Sequence, residues 1–193
     1  MLLPRFIIDY INNTQIKKSA LHILIILFSL FIFPIVQTSF AEESTQSTII
    51  KYDLAYPGIL PDNPLYKLKV VRDKIVASLI SDPNKKIEFY LLQTDKGILA
   101  TAMLIDNNKV DLALQTALKA ENNYTLLTQQ LYKFRQKPNA NFFKKLKTAS
   151  LKHQEVLASL IKRVPEKNKQ AFTNIIYFSQ RNLETIEEYR IKQ

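Results

Sequence analysis

Apolar residues first form one unbroken block along the chain, then settle into stripes at three- and four-residue steps. The block runs from Ala20 to Val36, and its only polar side chains are His22 and Ser29. Lys17 and Lys18 precede it; Ser39-Phe40-Ala41 and then Glu42-Glu43 follow. A basic lead, an apolar centre and small residues three and one places before a cut make a secretory signal. The same run sits at the short limit for a membrane-spanning helix, so a retained N-terminal anchor is the competing reading. Either way, basic residues before the run and acids after it predict that residues beyond 41 lie outside the cytoplasm. A run without a polar face does not suit a helix of a water-facing bundle.

Beyond residue 41 the pattern changes twice. Residues 42–51 are polar and read as a flexible spacer. Tyr52 to Pro64 sets Pro57, Gly58, Pro61 and Pro64 among apolar residues, which forbids a helix and favours an extended arm with turns. Pro57-Gly58 suits the centre of a type II turn. Leu54, Tyr56, Ile59 and Leu60 predict that the arm packs along the domain.

Helical spacing begins there. Asp62 or Asn63 suits a cap, Pro64 the first turn, and Leu65, Leu68, Val71, Ile75 and Leu79 predict one apolar face on a short helix. A second helix spans about Pro83 to Ile105, with Ile87, Leu91, Ile98, Ala102 and Ile105 in a stripe. A third spans about Lys109 to Gln136 and keeps a heptad beat through Val110, Ala113, Ala117, Ala120, Tyr124, Leu127, Leu131 and Phe134. Pro138-Asn139 opens a fourth, with Phe142, Leu146, Ala149, His153, Val156 and Leu160 facing inward. Past Val164-Pro165 a fifth carries Phe172, Ile175, Leu183, Ile186 and Tyr189. Short connections predict antiparallel neighbours. The expected fold is all-α: an up-and-down bundle of four long helices over residues 52–193, with the short helix and the Pro-rich arm packed on it.

Composition narrows the function. The chain has 193 residues, two Gly and no Cys. So few glycines disfavour a turn-rich β fold. Without Cys there are no disulfides, thiolate nucleophiles, Cys zinc sites or iron–sulfur clusters. The net charge is +10; residues 1–41 hold three basic side chains and one acid, leaving +8 beyond them. A basic surface outside the cytoplasm suits anionic neighbours, although a solvated Lys-rich surface explains it as well.

Several stretches look alike to a known family. P-G-I-L-P-D-N-P-L-Y-K-L-K from Pro57 to Lys69, R-D-K-I from Arg72, D-P-N-K-K-I-E-F from Asp82, H-Q-E-V-L from His153 and V-P-E-K-N-K-Q-A-F from Val164 resemble a domain-of-unknown-function family of exported bacterial proteins. The resemblance extends over nearly all of the chain beyond residue 41. It implies a helical domain following a signal or a membrane span, and it carries over no catalytic residue. The chain departs from that family in having fewer Glu and Ala on its helices.

Candidate chemistry is sparse. His153, the one histidine past residue 41, falls on an apolar stripe and reads as a buried, hydrogen-bonded side chain. No Glu lies three residues before it, as a di-iron bundle would require. Zincin, phosphate-loop, nucleophile-elbow and dinucleotide motifs are missing. Asp106 and Asp111 read as helix-end acids, and Glu184, Glu187 and Glu188 as surface partners of Arg181 and Arg190. No catalytic, metal or cofactor residue is expected, and no small-molecule substrate is evident. Basic residues do cluster. Lys133, Arg135, Lys137, Lys144, Lys145 and Lys147 surround the third connection without an acid, and antiparallel packing would add Lys85 and Lys86 with Arg190 and Lys192. The reading is an exported, non-enzymatic domain acting in interaction or structure at the cell envelope, with an unidentified protein or other envelope component as partner. The alternative is a polyanion-binding module that grips anionic lipid, wall polymer or extracellular DNA with this basic end.

Overall fold

The computed structural model describes residues 50–134 and 138–192, which belong to a compact unit running from Thr48 to Gln193. The predicted signal or anchor, most of the spacer, Arg135 and Lys137 lie outside the described residues. Five helices, α1 (Tyr66–Leu79), α2 (Pro83–Asp106), α3 (Val110–Leu131), α4 (Ala140–Ile161) and α5 (Glu166–Lys192), make up an all-α bundle with no strand among the described residues.

Local chemistry sets the ends. Asp82 caps α2 by accepting from the Lys85 N–H at 2.8 Å, and Pro83 occupies its first turn, where a missing N–H costs nothing. Asn139 caps α4 through the Phe142 N–H at 2.9 Å. Asn108 takes φ 59° to reverse the chain between α2 and α3. Gly58 takes φ 68°, the left-handed value that the turn after Pro57 demands. The helix α1 starts later than expected, at Tyr66. Asn63 holds a preceding turn through the Leu65 N–H at 2.9 Å, and Asp62 is drawn instead into an ion pair with Lys109 at 2.6 Å. The helix α3 ends at Leu131 rather than Gln136. Phe134 sits in the following turn, half-buried against the core, and its ring meets Phe142 edge-on.

Helices that follow one another run antiparallel, as expected, but not all are neighbours. The close pairs are α2 with α3, α4 with α5, α3 with α5 and α2 with α4. The last two pairs run parallel, so the chain crosses the bundle diagonal between α3 and α4. Residues 132–139 span about 26 Å when extended, more than the roughly 14 Å diagonal of helices packed 8–10 Å apart. A short loop therefore required only opposite direction, not adjacency.

The core has three levels. One apolar cluster, near the α2–α3 turn, holds Ile98, Leu104, Ala113, Ala117, Leu157, Leu160, Phe172 and Ile175. The other, near the α3–α4 connection, holds Ile87, Leu91, Tyr124, Leu127, Leu131, Phe143, Leu146 and Ile186. Burying each large side chain contributes about 1.5–3 kcal/mol. Gly97 lets α2 and α3 approach closely: a Cβ there would lie 2.6 Å from Ala120 Cβ. Beside it, Thr94 Oγ1 donates across to the Ala120 carbonyl at 3.2 Å.

Two expectations about the outer layer are corrected. Tyr52, Leu54 and Pro57 carry the arm's inward contacts, while Tyr56 and Ile59 are exposed. An extended chain presents alternate residues to one side, as Tyr52 and Leu54 do; the alternation lapses ahead of the Pro57-Gly58 turn, which leaves Tyr56 outside and Pro57 inside. The second correction concerns α1. Its apolar stripe faces solvent: Leu65, Leu68, Val71, Ile75 and Leu79 are 54–74% exposed, and no residue of the helix is fully buried. Tyr66, Val70 and Ala77 face the bundle instead. The α2–α3 surface beneath them is mixed, with Phe89, Tyr90, Ala100 and Leu126 interspersed with Gln93, Lys96, Lys119, Asn122 and Asn123.

Candidate functional site

Between the two apolar clusters lies a buried polar layer built by four helices and the arm. Asp95 of α2 stands 2.6 Å from His153 Nε2 of α4 through one carboxylate oxygen and accepts the Tyr52 hydroxyl at 2.8 Å through the other. His153 is fully buried, and its ring meets Tyr124 edge-on. Tyr124 donates to the Leu146 carbonyl at 2.7 Å. Burial holds the Tyr124 phenol well above its usual pKa; burial and the Asp95 charge do the same for Tyr52.

Glu121 of α3 continues the layer toward α5. Asn182 Nδ2 donates to its Oε2 at 3.3 Å, while Thr125 Oγ1 donates to Asn182 Oδ1 at 3.1 Å. Glu121 is 3% exposed, and desolvation raises its carboxyl pKa, an effect opposed by His153 and by the Asn182 hydrogen bond. The layer therefore links α2 to α4 and α3 to α5, the two parallel pairs. Buried carboxylates without partners are costly, so these pairings favour this helix arrangement over one with other neighbours. Among the described residues, no cluster of His, Asp and Glu could hold a metal ion.

His153 was legible as a buried, hydrogen-bonded residue. Asp95, Glu121, Tyr52 and Asn182 were missed. A signal existed for them. The apolar stripe of α2 skips from Leu91 to Ile98, with Thr94 and Asp95 in the gap. The buried face of α5 passes from Ile175 to Ile186 through Ser179 and Asn182, with Asn182 inward where Leu183, only half-buried, was expected. Polar residues on a stripe at matching heights are what a buried network requires.

The outer surface holds two further features. A cavity of about 510 Å³ separates α1 from the α2–α3 pair, lined by Tyr66, Val70, Phe89, Tyr90, Ala100 and Leu126 with lysines about it. Nothing broad therefore clamps α1 to the bundle. It is tied at its start, where Lys69 Nζ donates to the Pro57 carbonyl at 2.8 Å and Lys109 grips Asp62. Burial lowers the Lys69 pKa. On the far side of α1 is the exposed apolar stripe.

The predicted basic residues gather at one end in part. Lys85 and Lys86 start α2, Lys133 follows α3, and Lys144, Lys145 and Lys147 lie on the first turns of α4. All six fall at the same end of the bundle, with Arg135 and Lys137 outside the described residues. Acids from α5 share that end. Glu187 pairs with Lys147 at 3.0 Å and with Arg190 at 2.7 Å, and Glu188 pairs with Lys192 at 3.1 Å. The Lys147 bond leads in holding the Glu187 carboxyl below its usual range.

An all-helical bundle with a polar middle layer and one outward-facing amphipathic helix is the class that this architecture defines. Residues 58–167 match the domain of unknown function DUF5667, and the chain belongs to that family. The match begins in the Pro-Gly turn and ends in the first turn of α5, so it is shorter than the resemblance suggested, leaving most of α5 beyond it. No curated protein and no solved structure matches the chain.

Proposed function

We propose that this is a non-catalytic interaction domain of the cell envelope and that α1 is its contact helix. One observation carries the reading. Six large apolar residues of a single short segment, Leu65, Leu68, Val71, Ile75, Val76 and Leu79, are exposed together. Isolated exposed apolar residues are ordinary; a contiguous stripe on one helix marks an interaction surface. The polar layer fits a structural role, because Asp95 bonds His153 and Tyr52, and Asn182 bonds Glu121 and Thr125, between elements, while His153 Nδ1 and Glu121 Oε1 stay buried without a partner among the described residues. The envelope location rests on the sequence before residue 42, read as an export signal or anchor. A domain on that side of the membrane, held by packing alone, suits a chain without cysteines.

The alternative, polyanion binding by the basic end, draws support from the exposed Lys85, Lys144 and Lys145. It ranks second because Glu187 and Glu188 offset part of that charge at the same end.

Site-specific photocrosslinking in the native host tests the reading. A photoreactive side chain at Leu68 or Ile75 should give adducts that the same group at Lys167, exposed at the start of α5, does not. Equal yields at all three positions would remove α1 from the account.

A further inference from the structure

The chemistry of α1 narrows what covers its outward face. At 100° per residue, the exposed apolar side chains occupy one continuous arc with Arg72 near its middle. Lys67 and Lys74 fall toward one edge of that arc; Lys69 falls toward the other, with its ammonium held by the Pro57 and Ile59 carbonyls. The helix thus holds four basic residues against one acid, Asp73, which pairs with Arg72 at 2.7 Å. We infer that α1 lies in the plane of an anionic lipid surface, its apolar arc among the acyl chains and Lys67 and Lys74 at the phosphates.

Three observations favour a bilayer over a second copy of this chain. The first is Arg72, whose side chain is 65% exposed. Pairing α1 with its equivalent would bring two guanidinium groups into the apolar contact. At a lipid surface the stem stays among apolar groups while the head reaches the phosphates. The second is the excess of positive charge beside an apolar arc, the pattern of interfacial helices. The third is length: 14 residues make about 21 Å, too short to cross a hydrocarbon core of about 30 Å. Among the described residues no helix is long and apolar enough to cross a membrane. The sequence reading places a membrane-directed apolar run upstream, in the segment that leads into the arm.

This inference rests on α1 being the contact helix, and its test separates the two. The chain has no cysteine, so Leu68→Cys, Ile75→Cys and, as a control on exposed α5 surface, Gln170→Cys each accept a single environment-sensitive fluorophore. The full chain is reconstituted into vesicles of phosphatidylglycerol and phosphatidylcholine, or of phosphatidylcholine alone. Labels at 68 and 75 should brighten severalfold on the anionic vesicles, be quenched by a nitroxide on the lipid tails, and resist aqueous iodide. The label at 170 should do none of these. Labels at 68 and 75 that stay dim and iodide-sensitive overturn the lipid assignment. Brightening without tail quenching overturns it in favour of a second copy or of another segment of this chain. An equal response on both lipids overturns the anionic part. If the lipid test fails while crosslinks at Leu68 reach a protein, α1 remains the contact helix; if both fail, both readings fall.

Discussion

Replacing Asp95 with Ala tests whether the polar layer holds the bundle together. The change leaves the fully buried His153 without its acceptor and strips the Tyr52 hydroxyl of its partner. Removing one member of a buried, hydrogen-bonded pair costs about 1–3 kcal/mol for each group left unsatisfied, and here two groups lose their partner. A domain of this size has about 5–15 kcal/mol in total, so the loss is a large share. Tyr52→Phe removes one hydrogen bond at a half-buried position that water can reach, and should cost only about 1–1.5 kcal/mol. Asp95→Leu with His153→Phe removes both polar partners together and should be milder than Asp95→Ala alone. Urea unfolding of residues 48–193, followed by circular dichroism, gives all three values from midpoint and slope. The reasoning is refuted if Asp95→Ala lies within about 1 kcal/mol of the parent, or if the paired apolar replacement is the more damaging change.

Two further outcomes are expected. Burial raises the Glu121 pKa, so its contribution to stability is full below its unfolded value near 4.5 and is lost as pH rises through the raised folded value. Glu121→Gln should flatten that decline, and an unchanged difference between parent and variant across urea midpoints from acid to alkaline pH would count against it. Gly97→Ala places a methyl 2.6 Å from Ala120 Cβ; overpacking of about 1–3 kcal/mol should outweigh the ~1 kcal/mol gain in helix propensity. Adding Ala120→Gly should relieve the clash, so a more stable single variant would show that α2 and α3 are free to separate.

Much of the fold was legible because its determinants are local. Asp82-Pro83 and Pro138-Asn139 announce helix starts by capping chemistry, Pro57-Gly58 announces a left-handed turn, and repeated apolar steps mark the inward faces of α2 to α5. The candidate site was less legible. His153 stood out as the one histidine on a stripe, but its partner Asp95 lies 58 residues earlier and Glu121 meets Asn182 across 61 residues. Spacing within one helix says nothing about which helix faces it.

The sequence by itself determined that the chain is helical, where most helices begin, and which residues of α2 to α5 turn inward, because each follows from contacts within a few residues. Only the tertiary structure decided that α3 and α4 stand across a diagonal, and that Asp95 and Glu121 find partners in parallel neighbours. It also decided that the stripe of α1 faces outward. Four helices complete the core between them, and the mixed α2–α3 surface left over, with Phe89, Tyr90, Ala100 and Leu126 among its lysines and amides, receives Tyr66, Val70 and Ala77 of α1 instead of its stripe. The orientation of α1 is therefore a result of competition among helices, which periodicity in one helix cannot encode.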